Sequence, residues 1–350
     1  MRLPILSNLA TRRRLSKNYD KVFGPLIPDE EILFDGSFDD TALDKARGAA
    51  LIGQWEPAVD LLEQSKHDAA LRQQRLCVLS GTAATDSSIW LELWQAVHPD
   101  AGDALLVEAY GRIWYAWDIR GGNSNHLTDG ARLHAFTELV SRSEPDLRQA
   151  AKVDPLDAAP WAGLLLVATG AGRPLVWTEE VLAEVNVRVP GHYWAHSQML
   201  QYLCAKWHGS HQHMFDFANA AAKNAAPGDP LRMLPVQAWF EYALSDDVED
   251  NEVITWTRPE AMAAVDHALK GGGPRTHPKA AADRGLLAYA LYQQSRYAEA
   301  LREFRIIGNR ASTDWWDRMP SDNDAITDFL ETRDVVASVV AARGLPVLSA

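Results

Sequence analysis

Five of the chain's 11 histidines, His192, His196, His208, His211 and His213, fall in one stretch, HYWAHSQMLQYLCAKWHGSHQHMFDF. Neutral imidazoles gathered in this way can ligate zinc or a neighbouring transition metal. His192 and His196 are four residues apart and so share one helix face. His208 and His211 flank a turn, and Asp216 follows closely enough to add an oxygen ligand. Three observations weigh against a metal centre. The His192/His196 pair lacks the glutamate of HExxH that would serve as a base. No cysteine pair accompanies it. A helical rise of 1.5 Å per residue also separates His192 from the turn at His208 by roughly 20 Å. The histidines therefore read first as packed side chains, and no cofactor or metal is expected. The metal set of His192, His196, His208, His211 and His213 stands as the alternative.

The 13 tryptophans form a second concentration of unusual residues. Trp90 with Trp94, and Trp114 with Trp117, lie on common helix faces, the arrangement of core packing. Trp315 and Trp316 are adjacent and point in different directions, so they read first as core packing and otherwise, with at least one at a surface, as a partner anchor. Arg112 and Arg120 lie among Trp114, Tyr115 and Trp117, which makes either a ligand groove or arginine stems laid over rings. Arg120, Lys206, Trp207, His208, Trp315 and Trp316 are the candidate partner contacts. Recognised catalytic patterns are missing. The run Gly271 to Lys279 is glycine-rich and basic but is not GxxxxGK[ST], and no strand precedes it. No GxSxG elbow occurs. Asp246, Asp247, Glu249, Asp250 and Glu252 lack EF-hand order and read as a solvated loop. Nothing here supports an enzyme.

These residues need elements to position them, and the patterning is helical almost throughout. Arg284 to Phe304, RGLLAYALYQQSRYAEALREF, reads as two short amphipathic helices joined by a tight turn. Leu287, Ala288 and Leu291 line one helix, and Tyr297, Ala300 and Phe304 line the other. In ALDKARGAALIGQWEPAVDLLEQS, Gly53 makes the turn, and Trp55, Ala58 and Leu62 repeat the spacing of Tyr297, Ala300 and Phe304. A third hairpin spans the histidine stretch, with its turn at Lys206, Trp207, Gly209 and Ser210. In the run DPLDAAPW, Pro155 ends one helix and Pro160 suits the first turn of the next. Asn323 to Arg343 is a C-terminal helix. Short β-branched runs such as VNVRV at 185–189 are compatible with extended backbone but are isolated.

The paired helices resemble the tetratricopeptide-type hairpin, a unit that must stack on neighbours to bury its apolar face. Trp117-Asp118-Ile119-Arg120-Gly121, Asp154-Pro155 with Trp161, and Lys206-Trp207 with Gly209-Ser210 and Met214 resemble an uncharacterised bacterial family. Its members are TPR-like and carry a K-W-x-G-S turn. The resemblance covers roughly residues 45–345. It implies an all-α, TPR-like α-solenoid of antiparallel helical hairpins, and it brings no activity with it.

Residues 1–44 differ from the rest. Arg2, Arg12, Arg13, Arg14, Lys17 and Lys21 make a basic arm, and an acidic run from Asp29 to Asp44 follows. The arm lacks the long apolar run of an export signal. The expected organisation is an extension over 1–44, a TPR-like repeat domain over 45–322, and a capping helix and tail over 323–350. The chain has 350 residues, 47% hydrophobic and 23% charged, and a net charge of -13, which argues against general nucleic-acid binding except through the basic arm. No run reaches the apolar length of a membrane span. Cys77 and Cys204 form neither a disulfide framework nor a zinc knuckle, which suits a reducing cytoplasm. The expectation is a non-enzymatic, cytoplasmic scaffold or adaptor that binds a protein or peptide along a helical groove. A small-molecule or metal function at 192–216 and a self-assembling homo-oligomer are the alternatives.

Overall fold

The computed structural model describes residues 26–34, 40–85, 88–121, 129–245, 252–319, 321 and 323–349. The basic arm from Arg2 to Lys21 and the acidic loop residues 246–251 lie outside them. The described chain is all-α, with two strands of two residues each. It forms two compact units, one of residues 39–224 and one of residues 225–350 joined by the segment before residue 39. The first division falls a few residues before the expected end of the extension. The second, at Asn224, has no counterpart among the expected boundaries.

In the 39–224 unit the helices are α1 (Thr41–Leu51), α2 (Glu56–Gln64), α3 (Ala69–Gly81), α4 (Ile89–Val97), α5 (Gly102–Arg120), α6 (Gly130–Arg142), α7 (Glu144–Val153), α8 (Ala159–Ala171), α9 (Leu175–Arg188), α10 (Tyr193–Leu203) and α11 (His211–Ala222). Short polar side chains open several of them. Asp40 accepts from the Leu43 amide at 3.0 Å, and Asp68 does the same for Leu71. Pro145 sits in the first turn of α7, so the Glu144-Pro145 pair begins a helix there.

The centre of this unit is α8. Every residue from Ala159 to Gly170 except Trp161 is buried, and a helix apolar on all sides belongs inside. Its small residues, Ala162, Gly163 and Ala168, let α5, α6, α7, α9 and α10 close around it. Helix α3 meets both α8 and α10, helices distant from it in the chain. The β-branched run Val185–Arg188 is helical, the C-terminal turn of α9. There the burial of Val181, Leu182 and Val185 at helical spacing overrides the strand preference of valine.

One buried cation ties four segments together. Arg72 donates to Asp157 from Nε at 2.9 Å and Nη2 at 2.5 Å, to Asp103 from Nη2 at 2.6 Å, and to the Leu62 carbonyl from Nη1 at 3.2 Å. Burial opposes its charge, but the carboxylates of Asp157 and Asp103 outweigh burial and raise its pKa above the ordinary value. Asp157 also accepts from the Ala159 amide, which sets the start of α8.

The second unit contains α12 (Leu234–Ala243), α13 (Glu252–Trp256), α14 (Pro259–Leu269), α15 (Ala280–Gln293), α16 (Tyr297–Ile307) and α17 (Ala325–Arg343). Helices α15 and α16 form the hairpin expected over 284–304, and α17 packs on both. The segment before residue 39 joins this unit by pairing β1 (Leu33–Phe34) in parallel with β2 (Arg310–Ala311). Arg333 on α17 donates to the Ile27 carbonyl and to Asp29, and Phe34 meets Phe329 edge-on at 5.4 Å.

The two hairpin turns anticipated from spacing share one backbone geometry. Gly53, at φ +86°, donates to the Ala50 carbonyl, and Gln54 donates to that of Ala49. Ser295, at φ 59°, donates to Tyr292, and Arg296 donates to Leu291. Both are Schellman closures, with the left-handed residue just past the helix end. The first uses glycine and the second a serine in a conformation that disfavours side chains.

Candidate functional site

The histidine hairpin is built by α10, the Cys204–Ser210 turn and α11. His192 caps α10, its Nδ1 accepting from the Ala195 amide at 3.2 Å. Burial lowers its pKa to about 4. His196 is also buried; its Nδ1 lies 2.9 Å from the His192 carbonyl, and its ring stacks on Phe217 at 5.9 Å. His208 bonds through Nε2 to the Thr169 carbonyl at 2.8 Å and leans on Tyr202. His211 is half-buried and His213 is exposed. Among the described residues, no three His, Cys, Asp or Glu side chains are placed to hold one metal ion.

The Lys206-Trp207-x-Gly209-Ser210 turn is shaped by packing. A Cβ on Gly209 would come 2.1 Å from the Leu203 carbonyl oxygen, so only glycine fits. Ser210 caps α11 by accepting from the His213 amide. Trp207 meets Trp117 edge-on at 5.4 Å, and the Arg120 guanidinium lies 5.0 Å from the Trp207 ring, 5.4 Å from Trp117 and 5.8 Å from Phe136. Arg120 is buried, and burial lowers its pKa. Its place among the rings is that of an arginine enclosed by aromatic faces. Lys206 and His208 are the exposed members of the turn.

Trp315 and Trp316 diverge, as adjacent residues must. Trp316 is buried against Tyr289, Phe304 and Phe329, whereas Trp315 is half-buried, with Phe240 5.3 Å away and Arg318 over its ring. The Gly271–Pro274 break is fastened by Arg284, which donates to the Gly272 and Pro274 carbonyls and pairs with the wholly buried Glu303 at 2.5 Å. Burial raises the Glu303 carboxyl, and Arg284 opposes that rise.

Two surfaces of the 39–224 unit escaped the sequence reading. On α4, Ile89, Leu93 and Val97 stand at i, i+4 and i+8 with 68%, 47% and 59% of their surface exposed. The corner after α1 adds Leu51 and Ile52, at 68% and 75%, because the Gly53 turn lies against Ile89. Trp55 meets His98 edge-on at 5.4 Å beside them. Stretches 52–65 and 88–101 contain no Lys or Arg, while Glu56, Glu92 and Asp100 are exposed there. The sequence signal was present, since the apolar residues of α4 cover two faces and only one can be buried.

The second surface is a cleft of about 250 Å³ between α7, α8 and α9, lined by Arg148, Trp161, Trp177, Glu180, Val181 and Glu184. Four of these residues, Trp177, Glu180, Val181 and Glu184, occupy one stripe of α9 at i, i+3, i+4 and i+7. That stripe was legible, but nothing in the sequence tells that α7 and the start of α8 close over it. No family model matches the chain, and no curated protein matches it.

Proposed function

We propose that this chain is a non-enzymatic, cytoplasmic scaffold or adaptor whose TPR-like hairpins present a docking face for the helix of a protein partner. The carrying observation is the exposed apolar row Ile89, Leu93 and Val97, continued by Leu51 and Ile52. A contiguous exposed apolar strip on a folded chain marks a contact surface. The acidic flanks at Glu56, Glu92 and Asp100 favour a partner whose apolar stripe is bordered by Lys or Arg. A preformed helical face limits the ordering cost to the partner's side. The Schellman turns shared by the α1–α2 and α15–α16 hairpins support the repeat reading. Contacts from α3 to α8 and α10 add a closure that a nearest-neighbour stack does not contain. Among the described residues no helix is long and apolar enough to cross a membrane.

The test is calorimetric titration with two synthetic amphipathic helices that share a leucine face, one with a Lys/Arg border and one with a Glu border. The basic helix binds in the micromolar range and the acidic one at least about tenfold more weakly. Leu93→Glu abolishes the difference without lowering the melting temperature. Equal binding of both helices, or binding untouched by Leu93→Glu, overturns the reading. Concentration-dependent dimerisation that Leu93→Glu removes would replace it with self-assembly through this face.

A further inference from the structure

We propose that residues 345–349 occupy a peptide-binding surface on α16, and that an uncharged segment of a partner protein with the same apolar–proline–apolar pattern takes their place. The surface lies wholly in the second unit, and the argument is independent of the α4 face. Helix α17 stops at Gly344, whose φ of +60° turns the chain, and the Leu345 amide donates back to the Val340 carbonyl. From there Leu345-Pro346-Val347-Leu348-Ser349 runs without regular secondary structure. Leu345, Val347 and Leu348 are half-buried, while Pro346 and Ser349 are exposed, so one side of the segment is covered by the fold. Pro346 fixes its own φ and biases Leu345 towards extended backbone, which lowers the cost of seating the segment.

The polar hold is narrow. Arg305 donates from Nη1 to the Leu348 carbonyl at 3.4 Å, and Arg302 donates from Nε to the Ser349 carbonyl at 3.0 Å. Residues 346–349 make no other hydrogen bond to a described residue, so the amides of Val347, Leu348 and Ser349 find no partner there. Arg302 and Arg305 stand three residues apart and so lie side by side on the surface of α16. Arg305 pairs with no carboxylate among the described residues, and the Glu303 carboxylate 3.7 Å from Arg302 is held by Arg284 at 2.5 Å. Guanidiniums that read backbone carbonyls accept any segment whose carbonyls stand at this spacing, and the covered side chains select an apolar one. Every residue the surface now holds is uncharged. An occupant fastened by two exposed hydrogen bonds yields to a competitor of the same kind.

The test follows the valine and leucine methyl signals of the full chain by NMR, with Val347→Ser and Leu348→Ser assigning those of the segment. Unlabelled peptide GLPVLS, blocked at both ends, moves these signals saturably to their positions in a free labelled peptide. It does so at about millimolar concentration, because it competes with a tethered copy of itself. The peptide GLPSSS, which lacks the covered valine and leucine, needs at least about tenfold more. In Arg302→Ala/Arg305→Ala the segment signals stand at the free positions before any peptide is added. Segment signals already free in the wild type, no displacement by GLPVLS, equal displacement by GLPSSS, or unchanged seating in the double arginine variant overturns the proposal. Both peptides are read on the wild-type chain, so an unfolded variant leaves the test intact.

Discussion

Replacing Arg72 with methionine should be among the most damaging single changes in the 39–224 unit. The substitution keeps most of the side-chain volume and removes the charge, so packing loss is a minor part of the effect. What remains are two carboxylates built to face a guanidinium. The Asp157 side chain is 7% exposed and that of Asp103 is 17% exposed. Leaving buried carboxylates without their cation costs about 3–5 kcal/mol. The lost bond to the Leu62 carbonyl adds about 1 kcal/mol. For a unit of this size, 3–5 kcal/mol lowers the melting temperature by about 6–20 °C. Differential scanning calorimetry on wild type and Arg72→Met measures it directly. The deficit should persist in high salt, because a buried interaction is poorly screened. A loss under about 1 kcal/mol, or one erased by salt, would refute the view that this clamp holds α2, α3, α5 and the start of α8 together.

Three further outcomes follow from local geometry. Gly209→Ala forces a methyl into the Leu203 carbonyl and should cost about 3 kcal/mol or more, read as a drop in urea midpoint; a change below about 1 kcal/mol contradicts the clash. Burial holds the His192 pKa down at about 4, below its ordinary value of 6.5, so the unfolded chain binds its proton first, and the stability it contributes is present above pH 6.5 and is lost as pH falls towards 4. That loss is at most about 3 kcal/mol; His192→Asn, which keeps an N-cap acceptor, should flatten the decline, and parallel pH profiles for the two proteins would exclude it. Ser295→Gly relieves a left-handed serine and should raise the α15–α16 unit's stability by about 1 kcal/mol, whereas an unchanged or lower denaturation midpoint shows that the turn carries no strain.

The helices were legible because burial in this chain follows the 3.6-residue period, and the turns because glycine, proline and capping residues mark them. The Gly53 and Ser295 closures were readable from the shared spacing of Trp55, Ala58 and Leu62 with Tyr297, Ala300 and Phe304. Valine's strand preference left 185–189 open to extended backbone, and tertiary burial on α9 made 185–188 helical. The Arg72 clamp was invisible for a different reason. Asp103 and Asp157 are remote from it in sequence, and only the closing of α3 against α5 and the α8 turn creates the pair. The cleft was half-legible: the α9 stripe can be seen in Trp177, Glu180, Val181 and Glu184, but Arg148 and Trp161 come from other helices. Among the candidate contacts, Lys206 and His208 lie at the surface, while Arg120 and Trp316 serve the interior.

The discontinuous second unit has a consequence for synthesis. Leu33 and Phe34 leave the ribosome early, yet their partners Arg310 and Ala311 emerge near the end, and Ile27 waits for a residue 306 positions later in Arg333. Throughout that interval the whole 39–224 unit is made and can complete its own contacts, as domains do during translation. A completed unit shortens the effective loop that must close, so the entropic cost of joining β1 to β2 falls below that of a fully flexible chain of the same length. Translation order thus favours folding the inserted unit first and sealing the outer one last.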